Sequence, residues 1–252
     1  MEKYLYKKSY QLNSFKPIRF NDLWGKKGVF TTIRVVSPKR KFIFFSSHIA
    51  NINLSLSKMN IDFKISQKMI LQFLKPVFKK INNKDVLLRI AINTNIISLS
   101  LRIRRRPIKN FVGKLYFYKR SIPNIKNLYY KKIINILNKS NLQQEEIILC
   151  NRGYLLEGCT TNILCIRNKQ IYIPIKNYYK GITMNYLLKN TKRHVNKINI
   201  PIKQINKYEE ILLVGSGKGV VSLSSIPQIN WKSKSNLVYK ELLNLYKKKL
   251  NL

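Results

Sequence analysis

The stretch CNRGYLLEGCTTNILCI, residues 150–166, decides how this chain is interpreted. It predicts short apolar strands joined by an Arg-Gly turn, and it places Glu157 inside an apolar run. The whole chain holds 10 acidic residues against 49 Lys and Arg, so a carboxylate in this setting requires an explanation. A buried carboxylate is costly unless a cation meets it. We therefore expect Glu157 to have a positively charged partner.

The chain is strongly basic, with a formal net charge of +39 over 252 residues. Such a charge attracts nucleic acid or an anionic membrane, and a basic RNA-binding protein is one interpretation. The other is compositional bias, because Lys, Asn and Ile are enriched along the whole chain, as the codons of an AT-rich genome would impose. The lysines are spread along the chain and do not form one cluster, which favours compositional bias. We therefore predict no specific nucleic-acid partner.

Cysteine and histidine usage argues against disulfides and metal sites. The three cysteines are an odd number and form no CxxC pair, and the two histidines are far apart in sequence. No apolar run approaches the 18 residues of a membrane span, and no secretory signal is evident. We expect a cytoplasmic protein that binds neither a metal nor a membrane.

The pattern of elements predicts an α+β chain in two halves, each with a mostly antiparallel sheet. Strands are predicted at 28–38 and 40–45, and a helix follows the serines at 46–47. The segment 107–112 is a plausible boundary. We predict an N-terminal α+β domain over 1–110 and a C-terminal domain over 111–252.

Two motifs resemble the class IV, fold-type IV, pyridoxal 5′-phosphate enzymes. A Glu-Gly-x-x-x-Asn segment after an apolar strand matches residues 157–162, and the resemblance implies that Glu157 bonds the cofactor's pyridine nitrogen. The cation for Glu157 would then be the protonated pyridine ring. The family places its cofactor-binding lysine about thirty residues earlier, and Lys126 lies 31 positions before Glu157. The resemblance implies that Lys126 attacks the cofactor aldehyde and later moves protons.

Two further patches resemble the family's phosphate-binding turns. Gly181, Ile182 and Thr183 match a Gly-Ile/Val-Thr segment that opens a helix, whose N-terminus suits an anion. Ser216 and Gly217 match a turn that adds a hydroxyl and a close backbone approach. These residues are the predicted cofactor-binding set, together with Lys126 and Glu157.

The first half departs from the family at one position. The family's His-x-x-Arg pattern keeps His48 here, but Asn51 stands where an Arg usually grips the phosphate. A charge-assisted phosphate pair is worth roughly 1.5–3 kcal/mol. We therefore expect weak, salt-sensitive cofactor binding, with Lys58 or Lys218 as substitute cations.

The segment GVFTTIR, residues 28–34, bears on which family member this chain resembles. Aminotransferases commonly hold Glu at the first Thr, whereas Phe-Thr-Thr is common in 4-amino-4-deoxychorismate lyases. The resemblance is therefore closest to the lyase, with Thr31, Lys126 and Glu157 as catalytic candidates and 4-aminobenzoate, a folate precursor, as product. A branched-chain or D-amino-acid aminotransferase is the alternative. The family further implies a two-domain homodimer resembling D-amino-acid aminotransferase, with the cofactor between the domains.

Overall fold

The computed structural model describes residues 4–81, 84–108 and 110–251. The chain divides into two compact units. The first comprises the residues up to Arg104 together with Ile125–Lys131, and the second comprises Arg105–Asn124 together with the residues from Lys132 onward.

The first unit is a six-stranded antiparallel sheet covered by helices, in the order β2-β1-β6-β5-β3-β4. Its elements are β1 (Tyr4–Gln11), β2 (Pro17–Ile18), β3 (Gly28–Val36), β4 (Lys41–Phe42), α1 (Phe45–Lys58), α2 (Gln67–Leu74), a 3-10 helix (Lys75–Ile81), β5 (Val86–Asn93) and β6 (Ile96–Ile103).

The core of the first unit lies where α1 packs on β3. Ile52 and Leu56 recur at helical spacing on α1, and Ile33 faces them from the sheet side; each is at most 2% exposed. The predicted strand over 40–45 is shorter than expected. Phe44 adopts a left-handed conformation with φ of 56°, which ends the extended backbone and starts α1 one residue later.

The second unit is a ten-stranded sheet with three helices, in the order β12-β11-β10-β14-β15-β7-β8-β9-β13, with β16 paired to β15. Its elements are β7 (Phe111–Phe117), α3 (Lys131–Asn138, of which Lys131 belongs to the first unit), β8 (Glu145–Asn151), β9 (Tyr154–Gly158), β10 (Asn162–Arg167), β11 (Gln170–Pro174), α4 (Ile182–Asn190), β12 (Val195–Ile198), β13 (Ile200–Pro201), a 3-10 helix (Ile202–Lys207), β14 (Glu210–Gly215), β15 (Gly219–Ile226), a 3-10 turn (Pro227–Ile229), β16 (Trp231–Lys232) and α5 (Leu237–Leu250).

Apolar side chains from the strands of the second unit form one core around Trp231, which is fully buried and donates its indole N–H to the Tyr208 carbonyl. The helix α5 packs on β15, and a residue that is distant in sequence caps its first N–H groups. The Glu210 carboxylate accepts from the backbone N–H groups of Val238 and Tyr239 at 3.0 and 2.8 Å. A carboxylate at a helix N-terminus compensates the helix dipole.

The segment that carries Lys126 belongs by its contacts to the first unit. The Phe30 N–H donates to the Lys126 carbonyl at 2.8 Å, and the Leu128 N–H donates to the Gly28 carbonyl at 2.9 Å. These bonds fasten residues 125–131 to the start of β3. This differs from the predicted division at 110/111, which placed the lysine in the C-terminal domain.

Candidate active site

Glu157 is buried in the second unit and forms an ion pair with Arg120. The Arg120 Nε donates to one carboxylate oxygen at 2.8 Å, and its terminal nitrogen donates to the other at 2.9 Å. Both side chains are only 5% exposed. The backbone N–H of Tyr179 adds a third bond to the carboxylate at 3.1 Å. This two-pronged geometry is the strongest form of an Arg–carboxylate contact.

The sheet of the second unit brings the two residues together. The strand β7 runs parallel to β8, with Tyr116 opposite Leu149, and β8 pairs antiparallel with β9, with Leu149 opposite Glu157. Arg120 lies in the loop that leaves β7, four residues beyond Tyr116. The loop therefore ends at the same level of the sheet as Glu157, although 37 positions separate the two residues along the chain.

Arg120 changes the interpretation of Glu157 made from the sequence. A cation was expected, and the cofactor ring was inferred to supply it; the structure shows that Arg120 also meets the carboxylate, and the contact of Glu157 with the ring nitrogen stays a prediction. Sequence reasoning missed Arg120 because no local motif includes it. The carboxylate also acts on its surroundings: burial first, and then the charge of Glu157, raise the pKa of Tyr178.

The predicted phosphate-binding helix begins where expected. Gly181 precedes α4 in an extended conformation and donates its N–H to the Asn162 side-chain oxygen at 3.1 Å. A Cβ at position 181 would lie 2.1 Å from that oxygen, so the contact requires glycine. Asn162 in turn donates its amide to the Tyr179 carbonyl. Asn162 therefore connects the Glu-Gly-x-x-x-Asn segment to the start of α4, a role that the sequence analysis did not assign.

Thr183, in the first turn of α4, has a hydroxyl that suits an anion. Its side chain is 1% exposed, and its oxygen has no hydrogen-bond partner among the described residues. The first N–H groups of a helix also have no partner within the helix, and Ile182 is the first residue of α4. An unsatisfied buried hydroxyl beside free N–H groups is a chemical fit for a phosphate.

The turn between β14 and β15 contains Ser216 and Gly217, both half-buried. The next residue, Lys218, is held by groups of its own unit. Its amine donates to the Leu142 carbonyl at 3.0 Å and lies 3.6 Å from the buried carboxylate of Glu146. Lys218 was considered as a substitute for the missing phosphate arginine, but this amine is already engaged.

In the first unit, β3, α1 and the Lys126 segment bring three predicted polar residues together. The Thr31 hydroxyl lies 2.7 Å from His48 Nδ1, and both side chains are buried. Burial and then the charge of Lys126 lower the pKa of His48 to about 3, so the imidazole is neutral at physiological pH. The Lys126 amine lies 5.2 Å from the centre of the Phe30 ring. Thr31 therefore faces α1, whereas Phe30, the next side chain of the strand, points to the opposite face of the sheet and packs beside the Lys126 amine.

Asn51 and Lys58 lie on α1, at its middle and at its last residue. Asn51 is half-buried and its carbonyl accepts from the Ser55 hydroxyl at 2.8 Å, whereas Lys58 is exposed. The three cysteines, Cys150, Cys159 and Cys165, are buried and form no disulfide. Among the described helices, none is long and apolar enough to cross a membrane.

The family model for amino-transferase class IV matches residues 28–226. The chain is 22% identical to the aminodeoxychorismate lyase of Bacillus subtilis (strain 168) over 262 aligned positions, which cover 88% of this chain and 85% of that protein.

Solved structures share the fold. An aminotransferase from Brucella abortus bound to pyridoxal phosphate superimposes with a TM-score of 0.78 at 17% identity, covering 99% of this chain and 100% of that one. The branched-chain amino acid aminotransferase of Escherichia coli gives a TM-score of 0.73 at 15% identity, covering 94% and 91%. The chain therefore belongs to the class IV amino-transferase family and is a pyridoxal-phosphate-dependent enzyme.

Proposed function

We propose that this enzyme is a lyase that converts 4-amino-4-deoxychorismate to 4-aminobenzoate and pyruvate, as a cytoplasmic homodimer. The observation that carries the proposal is Thr31, whose hydroxyl is bonded to a neutral His48. A glutamate is common at this position in the aminotransferases, whereas Phe-Thr-Thr is common in the lyases, and the threonine hydroxyl is matched here by the buried imidazole of α1. The curated lyase relative supports the same assignment.

The residues of the chain fit the cofactor in three places. Lys126 would supply the amine that holds the cofactor aldehyde, Glu157 would supply the carboxylate for the ring nitrogen, and the start of α4 with Thr183 would supply the donors for the phosphate. When bound, pyridoxal phosphate supplies an electron sink for the carbon that loses its proton. The Ser216–Gly217 turn would add donors to the same phosphate.

Lys126 is the proposed general base. Its amine would take the proton from the substrate carbon that bears the amino group. The neighbouring ring C–O bond then breaks with its electron pair on the oxygen, so that the ring becomes aromatic, and the released enolpyruvate gains one proton on its methylene carbon to give pyruvate. Glu157, which is held by Arg120, would accept the hydrogen bond of the protonated ring nitrogen during this step. The reaction requires no amino acceptor.

Thr183→Val should separate phosphate binding from folding. The substitution removes a hydroxyl that has no partner in the described protein, so the free energy of unfolding of the apoprotein should not fall. The affinity for pyridoxal phosphate should fall about tenfold to a hundredfold, as for a lost bond to a charged group. Urea unfolding and cofactor titration measure the two quantities.

Thr160→Val is the matched control for Thr183→Val. The Thr160 hydroxyl donates to the buried Glu146 carboxylate at 2.6 Å, so this substitution should destabilise the apoprotein. If Thr183→Val behaved like Thr160→Val, with lower stability, the hydroxyl of Thr183 would have a structural partner and the phosphate assignment would be wrong.

Asn51→Arg should tighten cofactor binding and make it less sensitive to salt. Asn51 is neutral, and the donors at the start of α4 and at Ser216 carry no full charge. The control is Leu54→Arg, which adds the same charge at an exposed position of the same helix. Titrations at low and high salt compare the variants, and tight, salt-independent binding by the unsubstituted protein would show that another cation holds the phosphate.

A paired assay tests the proposed reaction. The purified enzyme is incubated with 4-amino-4-deoxychorismate, and separately with branched-chain 2-oxo acids plus glutamate. We expect stoichiometric 4-aminobenzoate and pyruvate in the first and no amino transfer in the second, with Lys126→Met inactive in both. Amino transfer without pyruvate release would establish the aminotransferase alternative. Elution at the mass of a monomer would contradict the homodimer.

A further inference from the structure

We propose that Arg120 is a positioning residue that acts through Glu157: it holds the carboxylate ionised and correctly oriented for the cofactor ring. The inference rests on the proposed function, because it concerns how Glu157 serves a bound pyridoxal phosphate. It assigns a role to a residue that no sequence motif marked.

The contacts of Arg120 fix its guanidinium in one orientation. Two nitrogens bond the two oxygens of Glu157, and the same terminal nitrogen also donates to the Pro123 carbonyl at 2.8 Å. The Pro123 carbonyl belongs to the loop that leads toward the Lys126 segment. A guanidinium remains charged at all accessible pH values, so the field that acts on Glu157 is constant.

The charges around Glu157 explain why Arg120 matters. Burial raises the pKa of Cys159 and of Tyr178, so both are neutral at physiological pH. Burial raises the pKa of Tyr179 to about 12, and its backbone N–H is a neutral donor to the carboxylate.

Two further charged groups, Glu146 and Lys218, also act electrostatically on Cys159. Their charges are opposite and lie 3.6 Å apart, so their effects on the pKa of the thiol oppose each other. Loss of the Arg120 side chain would remove a full positive charge that bonds both oxygens of the buried carboxylate. Such a group takes up a proton instead of remaining ionised. A protonated Glu157 cannot stabilise a positively charged ring nitrogen.

The test is Arg120→Met, examined over a range of pH with two readouts. Without Arg120, the pKa of Glu157 should rise above its value in the unfolded chain. The stability of the apoprotein should then fall as pH rises through this raised pKa, because the protonated form is the favoured one in the folded state. Turnover should change in the opposite direction and increase with pH, since only ionised Glu157 serves the ring. We call the fall of stability with pH and the rise of turnover with pH the two limbs of the response. The unsubstituted enzyme should show neither limb.

Three variants control the experiment. Arg120→Lys keeps the charge and should lack both limbs. Combining Arg120→Met with Glu157→Gln should remove both limbs and give a turnover within about threefold of Glu157→Gln alone, because residues that act as one unit are not additive. Arg34→Met breaks a similar buried pair with Asp85 in the first unit, where the bonds are 3.0 and 2.7 Å. Asp85 keeps Arg104 as a second cation at 3.1 Å, so Arg34→Met should lower stability without changing the pH dependence of turnover.

The outcomes separate the inference from the proposed function. Equal pH dependence of turnover and stability in Arg120→Met and the unsubstituted enzyme would overturn the role of Arg120 alone. If Arg120→Met does not fold, a large loss of turnover in the folded double variant beyond that of Glu157→Gln overturns it, because Arg120 would then act independently of Glu157. An unsubstituted enzyme that binds no pyridoxal phosphate would remove the proposed function, and the inference with it.

Discussion

Lys126→Met should reduce turnover by about 10²- to 10⁴-fold, the range that one general acid–base residue contributes. The residue is a candidate for both the covalent attachment and the proton transfer, so the loss should lie at the upper end of that range. Lys126 is half-buried beside Phe30, and its charge adds to the larger effect of burial in lowering the pKa of His48. Turnover of 4-amino-4-deoxychorismate, with pyruvate release as the signal, measures the effect.

The control for Lys126→Met is Lys131→Met, at the end of the same segment. Lys131 is exposed, so its loss should leave turnover within a factor of about three of the unsubstituted enzyme, as for a surface substitution remote from the chemistry. Equal losses in the two variants would indicate that the whole segment is sensitive and that Lys126 has no special role.

Glu157→Gln should affect both stability and turnover. The glutamine keeps the shape of the side chain but removes its charge, which leaves the buried Arg120 guanidinium uncompensated. Breaking a buried ion pair in this way lowers the free energy of unfolding by about 3–5 kcal/mol. Turnover should fall as well, because a neutral partner cannot keep the ring nitrogen protonated. Urea unfolding of the apoprotein and the lyase assay give the two values.

Glu145→Gln provides the comparison for Glu157→Gln in the adjacent strand. Glu145 pairs with Lys114, whose side chain is 52% exposed, so solvent screens the charge of the partner. One oxygen of Glu145 also accepts from the Asn141 N–H at 3.1 Å, a bond that the amide oxygen of glutamine can keep. Removing this charge should cost about 1 kcal/mol or less. A similarly small loss for Glu157→Gln would show that the Arg120 pair contributes little to folding, and retained turnover would show that Glu157 has no role toward the cofactor ring.

The regular elements could be predicted because their patterns are local. The strand β6 alternates apolar and polar residues, and β5 is a nearly continuous apolar run before a short turn; the two pair antiparallel, as predicted for the sheet of the first half. The strand predicted over 40–45 was too long, because the left-handed Phe44 follows from packing around α1 and has no signal in composition. The sequence places Lys126 at the entry to a predicted helix, but the helix α3 starts only at Lys131, and the segment around Lys126 is bridged to β3 through Asn127 and Val29.

The partners of the buried carboxylates could not be predicted, because they are distant in sequence. Arg120 reaches Glu157 through the register of three strands, and Glu210 caps a helix that begins 27 residues later. Among the described residues, Glu146, Glu157 and Glu210 are buried and have partners distant in sequence. These carboxylates are used inside the fold, which leaves fewer to balance the lysines on the surface.

Reductive labelling tests the central claim most directly. The enzyme is incubated with pyridoxal phosphate, reduced with borohydride, digested and mapped by mass spectrometry, with Lys126→Arg treated in parallel. The account predicts that the pyridoxyl group is attached to Lys126 and that the variant carries no label at a defined position. A label on another lysine, or an unlabelled protein at saturating cofactor, would contradict it.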